Sequence, residues 1–75
     1  MCDLQVGTTI KTLREKNEMT QWDLYEATGL KPGYISKIES EKIKYPKLKT
    51  LIKVSKAFNI KLSEFIEHVE NQQEE

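Results

Sequence analysis

Between Thr20 and Glu39 the sequence T-Q-W-D-L-Y-E-A-T-G-L-K-P-G-Y-I-S-K-I-E holds two helix starts separated by one helix stop, which leaves the chain few folds to choose from. The Thr20 hydroxyl can accept an N–H from the first turn, and Asp23, three residues on, can return a bond to the cap, so a helix is predicted from Gln21. Gly29 takes the left-handed conformation that ends a helix at little cost, which places the stop at Thr28. Pro32 has the fixed φ and missing N–H suited to a first helical position, and Ile35 and Ile38 then share a face. Two helices this short, joined by a turn of three or four residues, need other elements to cover their apolar faces.

Such a pair is a helix-turn-helix arrangement. It resembles the DNA-binding motif of the Cro and lambda-repressor (XRE) family, which shows Gln, Leu, Gly, two apolar positions and a closing Glu where this chain has Gln21, Leu24, Gly29, Ile35, Ile38 and Glu39. Arg14, Pro46, Leu51 and Phe58 continue the likeness, which spans about residues 6 to 68. The resemblance implies an all-α, compact five-helix lambda-repressor-like DNA-binding domain, with Arg14 and Glu39 as a structural pair. Read from its position alone, Arg14 suits the C-terminal end of a first helix, and its five donors leave a phosphate contact open as well.

Seventy-five residues allow one domain with a modest core, so a single domain over residues 1–70 and a flexible acidic tail over 71–75 are expected. Cys2 is the only cysteine, which excludes an intrachain disulfide. The N-terminus lacks the apolar run of a signal peptide or membrane span, and a cytoplasmic protein without a membrane partner is expected. Twelve basic and twelve acidic residues cancel, but unevenly. Residues 31–56 hold eight lysines against Glu39 and Glu41, a net +6, whereas residues 62–75 hold five glutamates and no base, a net −5. A chain so polarised can turn one face toward phosphate.

In chain order, Val6, Ile10 and Leu13 predict a first helix from about Leu4 to Lys16, with Asp3 as its cap and Asn17 and Glu18 at its end. The next helix should face inward with Leu24, Tyr25 and Thr28. Tyr25 departs from the small residue usual in the family and has to be swung aside. Ser40–Lys47 reads as a loop in which Glu41 stands where the family prefers glycine, and a left-handed Glu41 would store strain on the order of 1 kcal/mol. Leu48, Leu51, Ile52, Ser55 and Phe58 predict an inward stripe on a fourth helix, stopped near Asn59. Leu62, Phe65, Ile66 and Val69 predict a fifth. Its stripe is wider than core closure needs, so Ile66 and Val69 are read either as core or as the seam of a homodimer.

With Ile35 and Ile38 inward, Lys31, Pro32, Gly33, Tyr34, Ser36 and Lys37 lie on or beside the face that a major groove would meet, and they form the base-reading set. Lys37 can donate to guanine O6 or N7, but Pro32 and Gly33 carry no bidentate group, so backbone approach, thymine-methyl contact or DNA shape must supply part of the readout. Lys31 puts a positive charge at the positive end of a helix, unfavourable unless an anion is near. Gln21, Trp22, Lys42, Lys44, Tyr45 and Lys47 form a phosphate-contacting set. For Trp22 the competing reading is an indole covering a lysine stem.

No catalytic constellation is present: Cys2 and His68 stand at opposite ends, and no glycine-rich phosphate loop occurs. His68 has no second ligand at metal-binding spacing, so no cofactor and no metal are expected. The reading is a sequence-specific transcriptional regulator, a repressor acting as a homodimer on an inverted-repeat operator in double-stranded DNA. Two other classes stay open on the sequence alone: an antitoxin that neutralises a protein partner, and a helical interaction module that keeps the fold without binding DNA.

Overall fold

The computed structural model describes residues 4–72; Cys2, Asp3 and the last three residues of the expected tail lie outside them. Five α-helices follow one another, α1 Val6–Lys16, α2 Gln21–Thr28, α3 Pro32–Glu39, α4 Leu48–Ala57 and α5 Leu62–Asn71, with no strand among the described residues. None is long and apolar enough to cross a membrane.

Local chemistry sets most of the boundaries. Thr20 Oγ1 accepts the Asp23 N–H at 3.0 Å and an Asp23 carboxylate oxygen accepts the Thr20 N–H at 2.9 Å, the reciprocal cap that starts α2 where the sequence predicts. Gly29, at φ 80°, ends it, and Pro32 opens α3 behind an extended Lys31. The ends of α1, α3 and α4 share another device. In each, a non-glycine residue turns left-handed (Glu18, Glu41 and Asn59, at φ 56°, 68° and 60°) and the next N–H reaches back five residues, Met19 to Arg14, Lys42 to Lys37 and Ile60 to Ser55. That geometry carries Met19, Ile43 and Ile60 or their neighbours back over the core.

Val6, Ile10, Leu13, Leu24, Ile35, Ile38, Val54, Phe58, Phe65 and Val69 form one continuous core, to which every helix contributes. α1 crosses α3 very closely. A methyl group at Gly7 would overlap the carbonyl of Ile38, so only glycine fits at this crossing.

Several expectations shift. α1 begins at Val6 instead of Leu4, because Gln5 has left helical geometry (φ −101°, ψ 68°). α4 is rotated from the expected stripe: Thr50, Val54, Ser55 and Phe58 are buried, Leu51 is half-buried, and Leu48 and Ile52 face outward. Burial of the two hydroxyl residues is possible because Ser55 Oγ donates to the Ile52 carbonyl at 2.9 Å and Thr50 Oγ1 lies 3.4 Å from the Tyr34 hydroxyl. Val69, at 1% exposure beside Phe65, belongs to the core and is removed from the expected seam, whereas Ile66 stays on the surface. α5 also runs on to Asn71, one residue into the expected tail.

Candidate nucleic-acid interface

The two motif helices are set relative to α1 by one carboxylate. Glu39, at the last turn of α3, accepts from Arg14 Nε at 2.8 Å and Nη2 at 3.1 Å, and from Gln21 Nε2 at 3.0 Å. Arg14 Nη1 donates to the Met19 carbonyl at 2.7 Å. Residues from α1, the turn after it, α2 and α3 therefore meet at a single charge-assisted cluster. The Arg14 and Glu39 side chains are only 11% and 4% exposed. The hydrogen bonds to Glu39 are the main influence on the guanidinium and, with its charge, outweigh the opposing effect of burial to raise the Arg14 pKa. Arg14 is thus engaged inside the protein, and so is Gln21, placed by sequence among the phosphate contacts.

Around this cluster lies an open polar cleft lined by Lys11, Arg14, Gln21, Ser36, Glu39 and Ser40. Lys11 and Ser40 were absent from the sequence-derived set. The signal that could have found Lys11 is its i, i+3 spacing from Arg14 on α1, which places both on one flank.

On α3, Lys31, Gly33, Ser36 and Lys37 are exposed and Pro32 is partly exposed, while Ile35, Ile38 and Glu39 are buried. These residues form one outward face, as periodicity predicts. Tyr34 departs from that face. It is partly buried against the core, with its hydroxyl toward Thr50 of α4, so its ring serves the α3–α4 junction in place of presenting freely to a base. Gly33 has open space where a Cβ would be, and its φ is not in the left-handed region. Among the described residues nothing therefore requires glycine at this exposed helical position.

Beyond α3, Lys42, Lys44, Tyr45 and Lys47 are exposed on the loop leading to α4. The turn that starts this loop is held by the Lys42 and Ile43 N–H groups, both donating to the Lys37 carbonyl at 2.9 and 3.1 Å. The backbone of Lys42 is thereby held directly to that of Lys37 on the outward face of α3. The loop is also pinned from the other side, by Glu41 on the first turn of α1.

Trp22 is 57% exposed at the start of α2, and its ring meets Tyr25 edge to face, with centroids 5.0 Å apart and planes at 63°. The indole therefore packs on tyrosine where a lysine stem had been the competing expectation. Tyr25 is half-buried against the core.

A model of the helix-turn-helix family HTH_3 matches residues 10–65. Among solved structures the chain is similar to the clp gene regulator ClgR from C. glutamicum, with a TM-score of 0.82 at 21% sequence identity, over 95% of this chain and 91% of that one. At that identity the likeness establishes the fold. No curated protein matches the chain in sequence.

Proposed function

This chain belongs to the helix-turn-helix family, and on that premise we propose that it is a sequence-specific DNA-binding regulator of transcription, a repressor that acts as a homodimer on an inverted-repeat operator. The observation that supports the reading is an exposed α3 face bearing Lys31 and Lys37 that continues into a loop with Lys42, Lys44 and Lys47 exposed, the first turn of that loop being held to the Lys37 carbonyl by the Lys42 N–H. In this reading α3 enters the major groove. Lys37 and Ser36 meet base edges, Gly33 and Pro32 let the backbone approach closely, and Lys42, Lys44, Tyr45 and Lys47 position the domain on phosphates. Lys31, a cation at an uncapped helix N-terminus, is relieved by a phosphate beside it.

One α3 with a single long donor facing bases specifies too little sequence for a unique site. Two copies related by a two-fold axis, their recognition helices about 34 Å apart, supply the rest, and an operator of matching symmetry follows. A bound dimer of this kind represses by occluding polymerase.

Binding of the full chain to random duplexes and to duplexes selected for affinity, across a salt series, tests the proposal. With about 6 to 10 phosphate contacts per dimer, affinity should fall roughly 10³- to 10⁵-fold between 50 and 200 mM salt. A flat salt response, with no duplex preferred, would overturn it and leave a protein-interaction role for the fold.

A further inference from the structure

Glu41 ties the loop after α3 to a part of the domain remote in sequence. Its Oε2 accepts both the Thr8 N–H at 2.9 Å and the Thr8 hydroxyl at 3.0 Å. The Thr8 N–H lies in the first turn of α1, where a helix has no carbonyl of its own to offer it, so the bond meets a need on α1 as well as on the loop. Glu41 makes it from the left-handed region, at φ 68°, which a residue with a Cβ adopts at a cost. Two residues on, Ile43 packs against the core, and the Lys42 and Ile43 N–H groups both donate to the Lys37 carbonyl. Lys42 therefore stands between two anchors, its backbone held and its side chain exposed. The same contact decides where the charge of the acid goes. Glu41 stands in sequence among Lys37, Lys42 and Lys44, where a free carboxylate would oppose phosphate, and its oxygen is turned instead onto the positive end of the α1 dipole.

From this geometry we propose that Glu41 is a positioning residue for the DNA-binding surface: its bond to Thr8 fixes the start of the loop, so that Lys42 and the residues after it meet phosphate already ordered, and it keeps the carboxylate off the duplex. The inference rests on the DNA-binding reading above. A segment ordered beforehand loses less conformational freedom on binding than a mobile one, so the strap contributes affinity. It acts on the backbone of a phosphate-holding loop and on no base, so its contribution is the same on every duplex. Charge and strap pull in opposite directions, which lets two substitutions separate them. Glutamine at position 41 removes the negative charge and keeps an oxygen that can accept from Thr8. Glycine removes the charge and the strap together, and it relieves the left-handed strain.

Affinity of the full chain for a random duplex is measured at a temperature where circular dichroism shows every variant folded, so that a loss of stability alone does not move the result. Glu41→Gln should bind at least as tightly as the wild type. Glu41→Gly should bind about five- to tenfold more weakly than Glu41→Gln, the scale of ordering roughly one residue of backbone on binding. Thr8→Val should weaken binding in the wild-type chain and have no further effect in the Glu41→Gly chain, because residues that act through one contact are not additive. A second measurement needs no DNA: backbone amide order parameters of residues 42–45 should fall in Glu41→Gly and stay at wild-type values in Glu41→Gln, with those of α3 unchanged in both. Glu41→Gly binding as tightly as Glu41→Gln, a full effect of Thr8→Val in the Glu41→Gly chain, or order parameters unchanged in Glu41→Gly would each overturn the proposal. A wild type that binds no duplex would overturn the DNA-binding reading itself, and the order parameters would still report whether the strap orders the loop.

Discussion

A carboxylate oxygen of Glu41 accepts the backbone N–H of Thr8 at 2.9 Å and the Thr8 hydroxyl at 3.0 Å, so the first turn of α1 is capped by a residue thirty-three positions later. Gln5, the residue in the cap position, makes no side-chain bond there. The capping acid also sits at the positive end of the helix dipole. Its own backbone is left-handed, which costs about 1 kcal/mol for a residue with a Cβ, and the cap offsets that strain. Urea denaturation separates the two effects. Glu41→Ala loses the cap and keeps the strain, for an expected loss of roughly 1 to 2 kcal/mol, and Glu41→Gly should recover about half or more of it. Equal stability of the alanine and glycine variants would show that the left-handed turn stores no strain.

The Arg14–Glu39 cluster predicts a strongly non-additive mutant cycle. Because both side chains are nearly enclosed, removing one strands the other, and each of Arg14→Met and Glu39→Gln should destabilise by about 3 to 5 kcal/mol. The double variant should lose less than the two losses combined. Additive losses in chemical denaturation would mean that the pair contributes no coupling.

The two helical glycines predict opposite outcomes. Gly7→Ala drives a methyl group into the Ile38 carbonyl at the α1–α3 crossing and should cost about 1 to 3 kcal/mol or more. Gly33→Ala meets open space and should stabilise the fold by up to about 1 kcal/mol through helix propensity. If Gly33 is kept for backbone approach to DNA, the same variant should bind a selected duplex more weakly while melting higher. Unchanged binding would remove Gly33 from the recognition face.

Lys37 and Lys42 should separate base reading from phosphate holding. Lys37→Ala is expected to narrow the gap between selected and random duplexes by about 1 to 3 kcal/mol. Lys42→Ala should weaken both duplexes alike and lower the steepness of the salt dependence by about one ion. Equal losses on both duplexes for Lys37→Ala would make it a phosphate contact.

What the sequence by itself determined is local. The Thr20–Asp23 cap, the Gly29 stop, the Pro32 start and the stop at Asn59 depend on groups within five residues of one another, so their chemistry can be read along the chain, whereas the left-handed turn at Glu18 is not legible there and that at Glu41 is suggested only by the family's glycine. The Arg14–Glu39 pair was legible only through resemblance, since nothing in a 25-residue separation announces contact. Tertiary structure decided the rest. Apolar stripes on α4 and α5 are wider than the arc that neighbouring helices cover, and packing alone chose which edge stays wet: Leu48, Ile52 and Ile66 outside, Val69 and even Thr50 inside. Polar groups likewise took their roles from what arrived beside them. Tyr34 turned to Thr50, Gln21 to Glu39, and Glu41 to an uncapped α1, because a side chain's partner is fixed by the crossing of helices and not by its place in the sequence.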